Sequence, residues 1–575
     1  MAYVNYHKHT HYSNIATLDC VVKPEDYMKR AVELGHTCYV TTEHGWQGNV
    51  FEAYTLCQQY GLKCIYGVEA YYVDDMFDKT SRTNYHIVLI ALTKNAMKEI
   101  NKILSKANKE GFYYKPRIDL ECLLSLNPNE TLVTTACVAS RLFKSKVVKN
   151  IVGKDEKGED IVELIEDEKS WLFDFLLPLH KHFGDNLMLE VQNHNQKIQI
   201  EHNKKILKVA KKFGIKLIHG NDSHYIYPND AKYRDMFLKA KGMIYAEEET
   251  FILDYPTEKK IRERYLKQGV LSNEQITEAL RNTLVIEKAE PIEIDKEFKI
   301  PKVPNKYIKE TIPYKNFSNE DSFEVLEEIV RSAWGKKKGT VKAKDIPKYE
   351  EAIDYELDII KKCGMADYFI LDHIIVNRAV KKYGAVLTRS GRGSGVSFLV
   401  NHLLGLTEVD RIKAPIRLYP TRFMSAERIL NSRNLPDIDL NFSDSTPVVR
   451  ASKDVLGEDN IYYMVAYKPL QASSAFRLWC KARNYNINEY NDVAKALAEN
   501  LTEEEIFNLY PRWKNEILAS KVFRGVIESI APSPCSYLLS NNSISEEIGV
   551  IKVGNEYCCV LDGYNCDYYK FLKND

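Results

Sequence analysis

The chain has 575 residues, enough for several domains with cores of their own. Lys+Arg and Asp+Glu are both 80, so overall charge offers no attraction for nucleic acid or an anionic membrane, and any positive surface must be local. Twelve scattered cysteines with no Cys-x-x-Cys pair exclude a short secreted disulfide framework and read as reduced thiols of a cytoplasmic protein; no basic leader and no stretch of about twenty apolar residues argues for export or a membrane span.

The first elements alternate. Ala2 to Tyr6 predicts a strand, and Pro24 to Leu34 a helix with Pro24 in its first turn and Gly35 past its end. Cys38 to Thr41 is a strand, Gly48 to Tyr60 a helix closed by Gly61, Lys63 to Tyr66 and His86 to Leu92 strands, and Asn95 to Ala107 a helix. Thr131 to Thr135, Asn186 to Val191 and Lys216 to His219 follow as strands. Repeated βα units favour a parallel sheet, open or closed into a barrel.

Residues that ligate metals fall where these strands end. His7 and His9 follow the first, with Asp19 in the next loop, and His44 follows the second beside Glu43. Glu69 comes after the third, His86 begins the fourth, Cys137 follows Thr131 to Thr135, and Asp222 and His224 follow Lys216 to His219. In βα barrels the loops at the C-terminal ends of strands converge on one site. These ligands are too many for one ion; imidazole and thiolate suit zinc or manganese-like ions, and carboxylates can bridge. Clustered divalent ions activate water and neutralise a phosphodiester. His11 and His194 fit no register and are read as non-ligands, and Glu43 receives no role.

Gly153 to Ser170, dense in charge, reads as a solvated loop or hairpin. Ser272 to Gln275 has capping-box spacing and opens a helix to about Lys288, after which Pro291, Pro301 and Pro304 mark a linker. From about Phe317 the chain turns helical, with Ser318 or Asn319 as cap, and the basic run Lys336-Lys337-Lys338 with Lys342 and Lys344 reads as a solvated loop.

An apolar segment, Tyr383 to Leu387, leads into the glycine-rich turn Thr388 to Gly395 and an amphipathic run from Val396 to Leu404. Strand, turn and helix in that order can hold phosphate with backbone N–H groups, and Arg389 and Arg392 add positive charge with fork geometry. Leu435 to Phe442 alternates apolar and acidic residues, predicting a short strand with Asp437 and Asp439 on one face. Two carboxylates one pleat apart repel unless a cation sits between them, and Mg²⁺ is typically held by a couple of carboxylates plus substrate phosphates. Residues 450 to 525 read mostly as helices, with a capping box at Thr502 to Glu505, and strands return at Ile548 to Val553 and Glu556 to Asp562.

The ordered set Gly364-Met365-Ala366-Asp367-Tyr368-Phe369, Gly391-Arg392-Gly393-Ser394, Arg422-Phe423, Glu427-Arg428 and Pro436-Asp437-Ile438-Asp439 resembles the palm of C-family DNA polymerases, which include the bacterial DNA polymerase III alpha subunit. The N-terminal ligand pattern resembles the polymerase-and-histidinol-phosphatase (PHP) domain that opens many of them. The resemblance implies an α/β chain: a distorted (β/α)7 PHP barrel over 1–285, a linker over 286–316, an α+β palm over 317–449 and 526–575, and an inserted helical thumb over 450–525. It further implies a DNA-directed DNA polymerase acting on primer-template DNA and dNTPs, with a metal-dependent 3′–5′ exonuclease in the PHP domain.

By the same resemblance, Asp437, Asp439 and Asp575 hold two Mg²⁺ ions, and Arg392, Gly393, Ser394, Arg422 and Lys573 bind the triphosphate. His7, His9, Asp19, His44, Glu69, His86, Cys137, Asp222 and His224 would hold up to three Zn²⁺ or Mn²⁺ ions. Two departures stand out: Asn441 where relatives carry Asp, and Glu43 where they often carry Asp. Because Lys573 and Asp575 match the family's Lys-x-Asp at the last residues, the expectation is the N-terminal part of a split or interrupted polymerase. A companion polypeptide would then bring the fingers and C-terminal domains and, through them, a sliding clamp. Two rivals are a stand-alone PHP metallophosphoesterase and a non-catalytic replication scaffold.

Overall fold

The computed structural model describes residues 3–143, 147–154, 160–245, 251–313, 322–388, 392–432, 434–499 and 501–574, with 147–154, 160–165 and 535 described by backbone alone. The chain folds into two units: Met1–Glu293 with Tyr467–Ala531, and Ile294–Ala466 with Pro532–Asp575.

In the first unit, short apolar runs build the sheets. Strands β1 (Cys38–Val40) and β2 (Lys63–Ile65) form a parallel pair. A second sheet comprises β3 (Gly67–Tyr72), β4 (Tyr85–Ala91), β5 (Arg117–Ile118), β6 (Thr131–Thr134), β9 (Leu187–Val191) and β10 (Lys216–His219), in the order β10-β9-β6-β4-β3-β5. Between β6 and β9, β7 (Val147–Lys154) and β8 (Asp160–Glu166) pair as an antiparallel hairpin, one of the two forms expected for that charged stretch. The six-stranded sheet is mixed, which corrects the expectation of a parallel one: β4 runs antiparallel to both β3 and β6. No helix lies between β3 and β4, and a connection without a helical crossover favours antiparallel pairing.

Residues 3–6 form no strand. Side-chain hydroxyls take the place of a ladder partner there, Val4 N–H donating to Thr283 Oγ1 (2.9 Å) and Lys8 N–H to Thr42 Oγ1 (3.0 Å). Val4, Tyr6, Val40, Ile65, Val88, Ile90, Leu132, Met188 and Ile218 pack into one core, to which β1, β2, β4, β6, β9 and β10 each contribute an apolar residue. Helices Pro24–Glu33, Val50–Tyr60 and Lys94–Lys109 match the predicted ones within two residues, and the Ser272–Gln275 capping box is formed. Helices Ala472–Ala482, Ile487–Ala496, Glu503–Leu509 and Lys514–Ser520 complete this unit. Phe476 and Trp479 of the first of these, with Trp513 and Phe523 of the turns flanking the last, share a core with Val21, Phe237 and Leu238.

In the second unit, helices Ser322–Lys338, Ile346–Cys363, Ala366–Tyr383 and Thr446–Leu456 pack around Leu326, Val330, Ile360, Phe369 and Ile375. The expected caps Ser318 and Asn319 lie outside the described residues. Lys336 to Lys338 form the last helical turn rather than a solvated loop; there they face the carbonyl end of the dipole, and Lys337 pairs with Asp410 at 2.9 Å and Lys338 with Glu350 at 2.8 Å. A five-stranded sheet has the order β13-β14-β11-β12-β15, from β11 (Ile461–Pro469), β12 (Ile527–Leu539), β13 (Val550–Val553), β14 (Glu556–Asp562) and β15 (Leu572–Asn574). Of these, β13 and β14 match the expected strands, whereas β11 and β12 fall in stretches not expected to be strands. Pro532 and Pro534 in β12 speak against a strand unless it is irregular or at an edge.

Two local expectations are corrected. Leu435 to Phe442 joins no ladder beyond a single bridge of Phe442 to Leu387, because Ile438 N–H donates to the Tyr368 hydroxyl (3.1 Å) instead of a strand carbonyl. The amphipathic run Val396 to Leu404 is not one helix. It breaks into a 3₁₀ turn, Gly395–Ser397, and a short α-helix, Leu399–Leu403, because Phe398 between them is extended and fully buried against Phe369 and Phe423. Among the described residues, the cysteines are buried free thiols and no helix is long and apolar enough to cross a membrane.

Candidate functional site

The nine ligand-type residues of the first unit lie around one depression. His7 and His9 stand on the segment that hydrogen-bonds alongside Ser223, with His9 N–H donating to Ser223 O (2.8 Å) and Ser223 N–H to His7 O (3.2 Å). A parallel bridge sets His44 opposite Glu69, which lies inside β3 rather than after a strand. His86 is on β4 opposite Tyr71. Ala136, just before Cys137, and Asp222 itself both have left-handed backbones, φ 57° and 51°. Such strain in non-glycine residues persists only where the surroundings enforce it.

Glu69 is the hub. Its Oε1 is 3.1 Å from His7 Nε2 and 2.9 Å from His86 Nδ1, and its Oε2 is 2.6 Å from His44 Nδ1 and 3.4 Å from His9 Nε2. Asp222 Oδ1 is 3.4 Å from His7 Nε2 and 3.2 Å from His9 Nε2. Asp19 Oδ2 is 2.7 Å from His224 Nε2 and 3.2 Å from His44 Nε2, while Arg234 grips Asp19 Oδ1 with Nε (3.1 Å) and Nη2. Cys137 Sγ lies 3.8 Å from His86 Nδ1. Four overlapping triads could each hold an ion: His9/His44/His224, His7/His9/Glu69, Asp19/Cys20/His224 and His44/Glu69/His86. Cys20 was not among the sequence-derived ligands.

The donor set fits divalent cations. His9 Nε2, His44 Nδ1, Glu69 Oε2 and Asp222 Oδ1 are buried atoms whose close approaches, 2.6–3.4 Å, are to one another rather than to well-directed hydrogen-bond partners elsewhere. Burial would lower the His44 imidazole, but Glu69 and Asp19 push it up to about 10; the same contest, won by Glu190, Asp222 and Glu69, raises His7. Burial, with His44 alongside, lowers His9 to about 3. The carboxylates therefore call for positive charge at this spot, and only part of it can come from protonated imidazoles. A cavity of about 930 Å³ opens above, with Asp19, His44, His86, Cys137, Asp222 and His224 on its floor and Leu18, Tyr71 and Met243 on its walls.

Three supporting residues escaped the sequence-based expectations. Glu190, on β9, sits 2.8 Å from His7 Nδ1. Ser13 Oγ is 3.1 Å from His9 Nδ1, and Arg234 holds Asp19. Glu190 has a legible signal, an acid inside an apolar strand run; Ser13 and Arg234 have none. His11 and His194 stay outside the ligand set; His11 Nδ1 accepts from Ile527 N–H (2.9 Å), and His194 stacks on Phe251.

In the second unit the acidic pair lies in two recesses. Asp437 faces Lys573 of β15, 3.9 Å from Oδ1, in a recess shared with Asp567 and Lys570. Asp439 shares the other with Arg392, Gly395 and Asn441. The Asp439 carboxylate lies over Gly393, whose φ is +70° and where a Cβ would stand 1.6 Å from Oδ2, so this turn demands glycine twice over. The alternation expected of 436–439 holds without the strand, since Ile438 is buried and Asp437 exposed. Arg392 and Arg422 are exposed and Ser394 is half-buried. Arg389 and Asp575 lie outside the described residues. Glu356, in the segment before the turn, is structural, pairing with Arg411 and accepting from Val400 N–H at 2.8 Å.

A family model described as the bacterial DNA polymerase III alpha NTPase domain matches residues 324–575, and one described as the PHP domain matches residues 5–194. DNA polymerase III subunit alpha of Aquifex aeolicus is 28% identical over 553 residues, covering 90% of this chain and 42% of its own length. The Helicobacter pylori J99 subunit is 26% identical, covering 87% of the chain and 40% of its own length; for the Borreliella burgdorferi subunit the figures are 25%, 95% and 46%. The chain thus spans less than half the length of these relatives.

Proposed function

We propose, from the match of residues 324–575 to the bacterial DNA polymerase III alpha NTPase domain and of residues 5–194 to the PHP domain, that this chain provides the palm of a DNA-directed DNA polymerase together with a metal-dependent 3′–5′ exonuclease. The observation that carries the palm reading is the approach of Lys573, from the far end of the sequence, to Asp437, beside a second acid packed on the glycine turn.

In this reading Asp437, Asp439 and Asp575 hold two Mg²⁺ ions. When bound, those ions supply charge neutralisation for a phosphoryl transfer from a dNTP to a primer 3′-hydroxyl. The protein's part is positional. Gly393 lets the turn approach Asp439, Lys573 offers a compact ammonium beside Asp437, and Arg392, Ser394 and Arg422 present donors to the triphosphate. Helices Ala472–Ser520 serve as thumb against duplex product. In the first unit, read as a distorted (β/α)7 barrel, the nine residues His7, His9, Asp19, His44, Glu69, His86, Cys137, Asp222 and His224 hold Zn²⁺ or Mn²⁺. Those ions supply an activated water and electrostatic shielding of a phosphodiester. The apolar walls around Leu18 and Tyr71 suit the sugar and base of a primer end.

Paired substitutions test both assignments. Asp439→Ala should abolish nucleotide addition, a fall on the order of a thousandfold, and leave primer-end hydrolysis intact. His9→Ala should do the reverse. Hydrolysis of a small phosphomonoester in preference to a primer terminus would favour a phosphoesterase instead. Wild-type protein free of bound metal in both units would favour a scaffold.

A further inference from the structure

Two carboxylates outside the ligand set lie behind the histidines rather than in front of them. We propose that Glu190 and the Ser13–Glu43 pair are positioning groups of the metal centre, fixing the tautomer and ring orientation of His7 and His9 so that each presents Nε2 to the ion. The inference rests on the metal-centre reading above.

Donor and acceptor counting makes the case. An ionised carboxylate only accepts. Glu190 is fully buried and its Oε2 accepts from the Tyr6 hydroxyl (2.6 Å) and the Thr134 hydroxyl (3.1 Å). Its Oε1 accepts from Gln192 Nε2 (2.8 Å) and stands 2.8 Å from His7 Nδ1. His7 Nδ1 is therefore an N–H, and its Nε2 faces Glu69 and Asp222 on the other side of the ring, where a bound ion would take the place of a second ring proton. The backbone makes room for this carboxylate: at Gly220 a Cβ would lie 2.2 Å from Glu190 Oε1, so a side chain there would expel it.

The second arm is indirect. Glu43 is buried, accepts from Thr10 N–H (3.0 Å), the Thr10 hydroxyl (2.6 Å) and Asn49 Nδ2 (2.7 Å), and takes the Ser13 hydroxyl proton at 2.6 Å. With its one proton spent on Glu43, Ser13 Oγ can only accept from its other neighbours. These are His44 N–H at 3.2 Å and His9 Nδ1 at 3.1 Å. His9 Nδ1 is thereby the N–H, and its Nε2 lone pair is the buried atom left without a hydrogen bond. Carboxylate or hydroxyl groups that take the outer N–H of a ligating histidine raise its basicity and hold its ring, and their removal weakens metal affinity by about 10–100-fold.

The test is Mn²⁺ titration of the whole chain by calorimetry, with the Tm of the metal-free protein in EDTA as a second readout. Glu190→Ala and Ser13→Ala should each weaken Mn²⁺ binding by about 10–100-fold. Glu190→Gln should restore most of it, since Gln can still present an oxygen to His7 Nδ1 and its amide to the Tyr6 and Thr134 hydroxyls. Should Glu190→Ala fail to fold, Ser13→Ala, which removes a single hydroxyl, decides the matter with Glu190→Gln as its control. A lowered metal-free Tm with Mn²⁺ affinity equal to wild type would overturn the proposal, leaving these groups as ordinary core contacts. Wild-type protein that takes up no Mn²⁺ would overturn the metal-centre reading itself, before any variant is compared.

Discussion

Asp19 in the first unit and Asp437 in the second are both aspartates beside a cationic side chain. Asp19 is 4% exposed and gripped by Arg234, whereas Asp437 is 63% exposed with Lys573 3.9 Å away. Around Asp19, the carboxylates of Asp19 and Glu69 are buried among imidazoles, so the fold itself must balance the charge. Around Asp437, water does so. A preassembled centre can keep its ions through many turnovers. An open one can admit a triphosphate together with the ion that accompanies it.

The sharpest way to break this contrast is to remove a partner from each. Arg234→Ala leaves the buried Asp19 with only His224 and His44 as partners and should destabilise the metal-free protein, by up to about 3 kcal/mol. Thermal denaturation in EDTA measures the loss, and saturating Mn²⁺ should recover part of it by binding the native state. Equal stability of variant and wild type would mean that Asp19 is hydrated despite its burial.

A smaller, pH-dependent effect is expected at Asp372. Burial lifts its carboxyl from 3.8 to about 7, while Asn574 Nδ2 donates to Oδ1 at 3.0 Å. The folded state therefore holds the proton more tightly than the unfolded chain does. That stabilisation is complete below pH 3.8 and is lost as the pH rises through about 7. Asp372→Asn should abolish the slope, so that denaturation midpoints of variant and wild type diverge in the variant's favour as pH rises. Parallel curves would contradict it. Smallest of all is Lys573→Ala: its partner Asp437 is open to solvent and 3.9 Å away, so the pair should contribute under about 1 kcal/mol to stability. The variant would keep its Tm while losing affinity for dNTP. A large drop in Tm would show that the second site is as preassembled as the first.

Much of the first unit was legible because its ligands sit at strand ends in short spaced pairs, a pattern that survives errors in the strands themselves. Residues 3–6 make no strand and Glu69 lies inside one, yet His7, His9 and Glu69 still meet. In the second unit the burial of Ile438 between two acids was legible, but the expected ladder is absent, since the Tyr368 hydroxyl that captures Ile438 N–H is distant in sequence. Pro532 and Pro534 concealed β12, and its pairing with β15 is what brings Lys573 beside Asp437.

Local order alone thus made legible which side chains carry metal- or phosphate-binding chemistry and where several helices begin and end, because caps, periodicity and ligand type are properties of neighbouring residues. Long-range folding decided the mixed direction of the sheet, the grip of Arg234 on Asp19, and the roles of Glu190 and Ser13 behind the histidines. Those depend on hydrogen-bond partners and buried charges brought together from distant segments, and no local pattern encodes which donor a buried acceptor will find.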